Sequence, residues 1–190
     1  MTPDRRVLLS IDTGLATFGL AAFDVGTREL LQLGLVRTEK SDKKRQVSNS
    51  SDVVRRAREV SRALVKFSSD VLRAHGGLVV AVAHESLSLP RNSRAAALIG
   101  VSLGLVVHHA EVCDLPVLEV YPQDVKQRVT GRKSASKEEI RASLGATLFN
   151  LEDCLRALGV ARGVEEHPVD AAAVGYCALE HDVLRVLSRS

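Results

Sequence analysis

The sequence predicts an α/β fold: a mixed five-stranded sheet of three antiparallel hairpin strands and two parallel strands, flanked by helices. Short apolar runs separated by glycine turns occupy the chain up to Val36. Two later valine-rich runs, Leu78–Ala83 and Val117–Val120, are set apart by a long apolar segment, and everything after them shows helical periodicity. With 190 residues, the chain suits one domain over residues 1–190. At 45% hydrophobic and 26% charged, it is neither disordered nor low-complexity.

Taken in order, Val7–Ile11, Phe18–Phe23 and Leu30–Val36 form the hairpin strands, with turns at Gly14 and Gly26. Residues 38–51 hold a single apolar residue and form a basic polar loop insertion. From Asp52 to about Ala74 apolar residues recur at three and four, the period of a helix with a basic outer face, and Gly76 and Gly77 end it. Leu78–Ala83 is continuously apolar, as in a central strand buried on both faces. Residues 93–112 are apolar nearly all round, which predicts a helix packed on more than one side, for instance against a second subunit. Val117–Val120 is another buried strand. Helices follow near 122–129, 136–148 and 168–187, with a polar link around 159–166.

Several function classes drop out. No run reaches the ~18 apolar residues of a bilayer span, and the N-terminus lacks a secretory pattern, so a cytoplasmic protein without membrane contact is expected. The three cysteines, Cys113, Cys154 and Cys177, have neither metal-knuckle nor disulfide-framework spacing and are expected to be reduced core thiols. The net charge is only +3, but its distribution is uneven. Residues 37–66 carry ten Lys or Arg against four acids, including Lys43, Lys44 and Arg45 in the polar loop. Residues 121–141 carry six basic groups against three acids, among them Lys126, Arg132, Lys133 and Lys137. Basic segments of this kind suit a polyanion such as nucleic acid, or simply a solvated face.

Two predicted core strands end in a carboxylate, Asp12 and Glu85. A carboxylate there is costly to desolvate unless paired or bound to a cation, although an acid closing a strand is more often a turn or cap residue. The third element is His167-Pro168-Val169-Asp170. Proline favours the first turn of a helix, and the three-residue spacing puts His167 and Asp170 on one edge. Together with the basic segments, these residues suggest a metal-dependent phosphoryl-transfer site.

The same residues resemble motifs of the RuvC Holliday-junction resolvases, taken in family order. IDTGLATFGLAAFD (11–24) resembles the first acidic strand and its glycine turn, and VVAVAHES (79–86) the second acidic strand end. YPQDVKQRVTGRKSASKEEI (121–140) is similar to the two-lysine segment, here Lys126 and Lys137. HPVDAAAVGYCA (167–178) resembles the closing motif. The resemblance implies an RNase H-like fold and a homodimer. It also implies nicking of four-way DNA junctions with Mg²⁺ or Mn²⁺, two ions per site, and no nucleotide cofactor. It carries ligand roles onto Asp12, Glu85 and Asp170, a ligand or general-base role onto His167, and places Lys126 and Lys137 beside the scissile phosphate, contacting DNA or stabilising developing charge, with Lys137 counted among the catalytic residues. Arg132, Lys133, Arg91 and the Lys43–Arg45 run are further DNA-binding candidates.

Alternatives from the sequence are a nuclease of the same fold acting on flaps, forks or structured RNA, and a catalytically inactive DNA-binding scaffold. An actin-like ATPase lobe fits the Asp-x-Gly turn, but 190 residues leave no room for its second lobe.

Overall fold

In the computed structural model, residues 5–42, 47–87, 92–161 and 163–187 are described. The order is β1 (Arg6–Asp12), β2 (Thr17–Asp24), β3 (Leu30–Arg37), α1 (Asn49–His75), β4 (Leu78–Glu85), α2 (Ser93–Val112), β5 (Val117–Val120), α3 (Pro122–Thr130), α4 (Lys137–Thr147), α5 (Leu151–Leu158), α6 (Glu166–Ala178) and α7 (Asp182–Leu187). The sheet order is β3-β2-β1-β4-β5. β1, β2 and β3 pair antiparallel, while β4 runs parallel to both β1 and β5. This is the mixed sheet expected from the hairpin runs and the later valine runs.

Side chains alternate between two cores, one on each face. Leu8, Ala21, Phe23, Ala81 and Ala83 pack with α3 to α6, whereas Val7, Leu9, Ile11, Phe18 and Val82 pack with α1 and α2. Helix α1 turns Val60, Leu64, Phe67 and Val71 inward, as its periodicity required.

Four expectations need correction. Helix α1 starts at Asn49 rather than Asp52, because the Ser48 side chain caps it by accepting from the Ser51 N–H, so the polar loop ends three residues earlier. β5 is an edge strand with alternating exposure, not one buried on both faces. The stretch 149–158 contains α5, and the single C-terminal helix is two, α6 and α7, with a turn at 179–181. Cys113 is exposed and Cys154 and Cys177 are half-buried, so they are free but not core thiols. Burial pushes the Cys177 thiol up to about 11.

Helix α2 buries only Ser102, Val106 and Ala110, leaving Val107 and Val112 exposed. By length and composition alone it is apolar enough to cross a membrane, although polar residues such as Arg94, Ser102 and His108 interrupt it, so no uninterrupted apolar run of that length exists. The helix packs along α1 and β4.

Candidate active site

Parallel pairing of β1 with β4 sets Ile11 opposite His84, so Asp12 and Glu85 end neighbouring central strands side by side. Helix α6 brings the third acid across the sheet. The Ser10 hydroxyl donates to the Ala171 carbonyl at 2.8 Å. A Cβ on Gly175 would sit 2.5 Å from the Phe23 ring, so only glycine lets α6 lie this close to the strands. At the start of α6, Gly19 lies against the His167 and Pro168 backbone. His167 thereby meets Asp12, with Nδ1 2.6 Å from Oδ2.

A cleft of about 360 Å³ is lined by Asp12, Glu85, Asp170, Lys126 and Lys137, with Val125, Ile140 and Val174 as its apolar wall. Buried Val125 and Ile140 fix α3 and α4 and so aim the two lysines. Lys137 opens α4 behind a capping box in which the Ser136 hydroxyl accepts from the Glu139 N–H and the Glu139 carboxylate accepts from the Ser136 N–H. Its Nζ lies 3.2 Å from Asp170 Oδ2 and contacts Glu166.

Burial raises the Glu85 carboxyl above the usual carboxylate range, and the charges of Asp12 and Asp170 raise it further, against the pull of Lys137 and Lys126. Burial also raises Asp170, opposed chiefly by Lys137. The hydrogen bond to Asp12 raises His167. Concentrated negative charge of this kind is relieved by a divalent cation with oxygen ligands. Among the described residues, no three His, Cys, Asp or Glu side chains already surround one ion position, since Asp12 is turned to His167 and Asp170 to Lys137. The donor set nevertheless suits such an ion: three carboxylates and an imidazole at the rim of one cleft.

The sequence-predicted residues Asp12, Glu85, His167, Asp170, Lys126 and Lys137 thus come together. Arg132 and Lys133 lie on the α3–α4 loop outside the cleft lining, exposed, with Arg132 paired to Glu139. Lys43, Lys44, Arg45 and Arg91 lie outside the described residues. Sequence reasoning missed Glu166 as the partner of Lys137. Its signal was adjacency to His167, but the pairing spans 29 positions and needs the fold.

Three antiparallel strands followed by two parallel ones, with acids ending β1 and β4 and a helix packed across the sheet bringing a third, are the arrangement of the RNase H-like fold class. Residues 8–177 match the family described as crossover junction endodeoxyribonuclease RuvC, and the chain belongs to that family of metal-dependent nucleases. It is 26% identical to the Proteus mirabilis member over 95% of this chain and 91% of that one. Identity to the Chlorobaculum parvum member is 35%, over 52% of this chain and 48% of that protein. The fold matches that of Thermus thermophilus RuvC in complex with a Holliday junction substrate, with a TM-score of 0.66, 24% identity, and coverage of 94% and 96% of the two chains.

Proposed function

We propose that the chain, acting as one nuclease domain over residues 1–190, resolves four-way DNA junctions by paired symmetric nicks. The observation that carries this reading is the convergence of Asp12, Glu85 and Asp170 in one cleft with Lys126 and Lys137. Asp12, Glu85 and Asp170, with His167 beside them, would hold Mg²⁺ or Mn²⁺, two ions per site. Bound there, the ions supply charge neutralisation and a water of lowered pKa.

The chain's own groups do the rest. Lys126 and Lys137 receive the scissile phosphate as point charges, with Lys137 exchanging Glu166 for a phosphate oxygen. His167 holds its Nδ1 proton on Asp12, which orients the ring and leaves Nε2 as either a ligand or the acceptor of the attacking water's proton. The apolar wall of Val125, Ile140 and Val174 limits water around the phosphate. Arg132 and Lys133, exposed on the α3–α4 loop, and the basic residues Lys43, Lys44, Arg45 and Arg91 extend the phosphate contacts.

Symmetric nicking needs two sites, and α2 supports a homodimer. Its exposed apolar face on a charge-poor helix is what a second copy would cover. A cytoplasmic, DNA-acting enzyme fits the family. The test is cleavage of an immobile four-way junction with Mg²⁺ or Mn²⁺, beside Asp12→Asn and a linear duplex. Paired nicks that vanish in the variant support the reading. A junction bound but uncut with either metal refutes it for this substrate and favours a flap, fork or structured-RNA nuclease or an inactive scaffold.

A further inference from the structure

The turn that follows Asp12 is held from outside its own hairpin. Thr38, just past β3 and buried, donates its hydroxyl to the Leu15 carbonyl at 2.5 Å and its N–H to the Ala16 carbonyl at 3.0 Å. Arg56 on α1 is only 3% exposed and donates Nε to that same hydroxyl at 2.8 Å. Its Nη1 lies 3.9 Å from Asp52 Oδ2, and Asp52 Oδ1 accepts from the Ser41 N–H and hydroxyl.

A nearly buried arginine is rare and costly to desolvate. Docking of α1 does not require it, since Val60, Leu64, Phe67 and Val71 already bury that helix. What its guanidinium does is set the direction of one hydroxyl. With a guanidinium N–H on the oxygen of Thr38, the single hydroxyl proton goes to Leu15. The turn has little slack of its own: a Cβ on Gly14 would fall 2.6 Å from the Thr17 carbonyl, and Leu15 is buried. Residues 13–16 are therefore clamped between β1, β2 and a buried relay from α1.

We infer that Thr38 and Arg56 are positioning residues for Asp12. The relay from Arg56 through the Thr38 hydroxyl to Leu15 fixes the turn, and with it the direction in which the Asp12 carboxylate faces the divalent ion and the scissile phosphate. Neither residue lines the cleft. The inference rests on Asp12 being a metal ligand. Because a displacement of about 1 Å of a reacting group costs on the order of 100-fold in rate, a relay that tightens the turn by a fraction of that distance has a measurable effect.

The experiment uses the full chain and compares wild type with Thr38→Val, Thr38→Ser, Arg56→Lys and Asp12→Asn. The readouts are thermal melting, junction binding in the absence of divalent ions, single-turnover cleavage, and Mn²⁺ affinity from the free-ion electron paramagnetic resonance signal. Thr38→Val keeps shape and loses the hydroxyl. It is expected to cleave roughly 10- to 100-fold more slowly and to bind Mn²⁺ more weakly, with junction affinity unchanged. Thr38→Ser is expected to recover both losses.

Should Thr38→Val fail to fold, Arg56→Lys, which keeps the charge but not the Nε donor, carries the same expectation. Wild-type cleavage and Mn²⁺ affinity in Thr38→Val, a loss no larger than its unfolded fraction, or a loss that Thr38→Ser does not restore would each overturn the inference. Asp12→Asn separates the two levels. If it still cleaves, the ligand role of Asp12 fails and the relay has nothing to position. If it is inactive while Thr38→Val is unaffected, only the relay fails.

Discussion

Replacing Gly19 with alanine tests how the site is assembled, because Gly19 is the point at which α6 meets the sheet. It pairs with Asp12 across β1 and β2. A Cβ there would fall 3.0 Å from the Pro168 nitrogen and closer still to the His167 carbonyl. Ordinary Cβ contacts begin near 3.4 Å, and the three nearest obstructing atoms are all backbone, so no rotamer change relieves the clash. The first turn of α6 must retreat by about 1 Å or more. That retreat takes the 2.6 Å contact between His167 and Asp12 out of hydrogen-bonding range. Overpacking of this kind costs about 1–3 kcal/mol, a fall in melting temperature of roughly 2–12 °C for a chain of this size. The misplaced His167 and Asp170 lower cleavage on the order of 100-fold. The assays are thermal unfolding and single-turnover junction cleavage below the variant's transition. Gly145→Ala is the control: it lies inside α4 with nothing within 4 Å of an added Cβ, and should gain about 0.5–1 kcal/mol with unchanged cleavage. If Gly19→Ala melts and cleaves like wild type, α6 is not seated through Gly19.

Glu180 is gripped by Arg185, Arg28 and Arg128, and hydrogen bonds first from Arg185 and then from Arg28 hold its carboxyl down to about 2 against an ordinary 4.5. A folded-state value below the unfolded one stabilises the protein above the unfolded value, and that stability is lost as pH falls from about 4.5 towards 2. Glu180→Gln should therefore melt lower than wild type at pH 7, by about 1 kcal/mol once solvent screening is allowed for, and the difference in urea midpoints should shrink through that acid window. If the chain forms the proposed homodimer through α2, Val107→Glu on the exposed face of that helix should shift the sedimenting species from dimer to monomer and replace paired nicks with uncoupled ones; an unchanged sedimentation coefficient removes α2 from the interface. Neutralising Lys43, Lys44 and Arg45 together should weaken junction binding and flatten its salt dependence, by up to about 0.9 in log–log slope for each phosphate no longer neutralised. An unchanged slope means that the run is only solvated.

The sheet was legible because its strands carry short-range signals. Glycine turns separate the hairpin runs, and the continuous apolar character of Leu78–Ala83 marks a strand with a neighbour on either side, which β4 has in β1 and β5. Val117–Val120 carries the same composition, yet the sequence could not show that no strand lies beyond it, so an edge strand looked central. Helix α5 escaped because its eight residues give barely two turns of periodicity, and its inward residues Leu151 and Leu155 are a single i, i+4 pair. Of the site, Asp12 and Glu85 were legible as acids on apolar strands, where desolvation makes them conspicuous. Their convergence with Asp170 was legible through the motif resemblance rather than through any local pattern, because physically it depends on Gly19 and Gly175 admitting α6 and on Ser10 bonding Ala171. The relay through Thr38 and Arg56 joins residues 18 positions apart and left no local pattern.

The site's electrostatics also explain why an ion network with no preformed metal cage among the described residues suits a binding cleft. Asp12 faces His167, and Asp170 shares Lys137 with Glu166, so the charges at the cleft are satisfied by one another. The pairing of Lys137 with Glu166 is well exposed on both sides, and exposed ion pairs contribute about 0–1 kcal/mol. Lysine can therefore leave its carboxylate for a phosphate at little cost. Glu85 and Asp170 are different. Both are held above the usual carboxylate range by burial, and Lys137 offsets only part of that for Asp170. If Lys137 exchanges Glu166 for a phosphate oxygen as proposed, these two acids would be left less compensated, and the cleft would then bind a divalent metal more tightly. On that proposal, phosphate and metal would favour each other's binding through Lys137, an expectation checked by measuring Mn²⁺ affinity with and without junction DNA in wild type and Lys137→Ala.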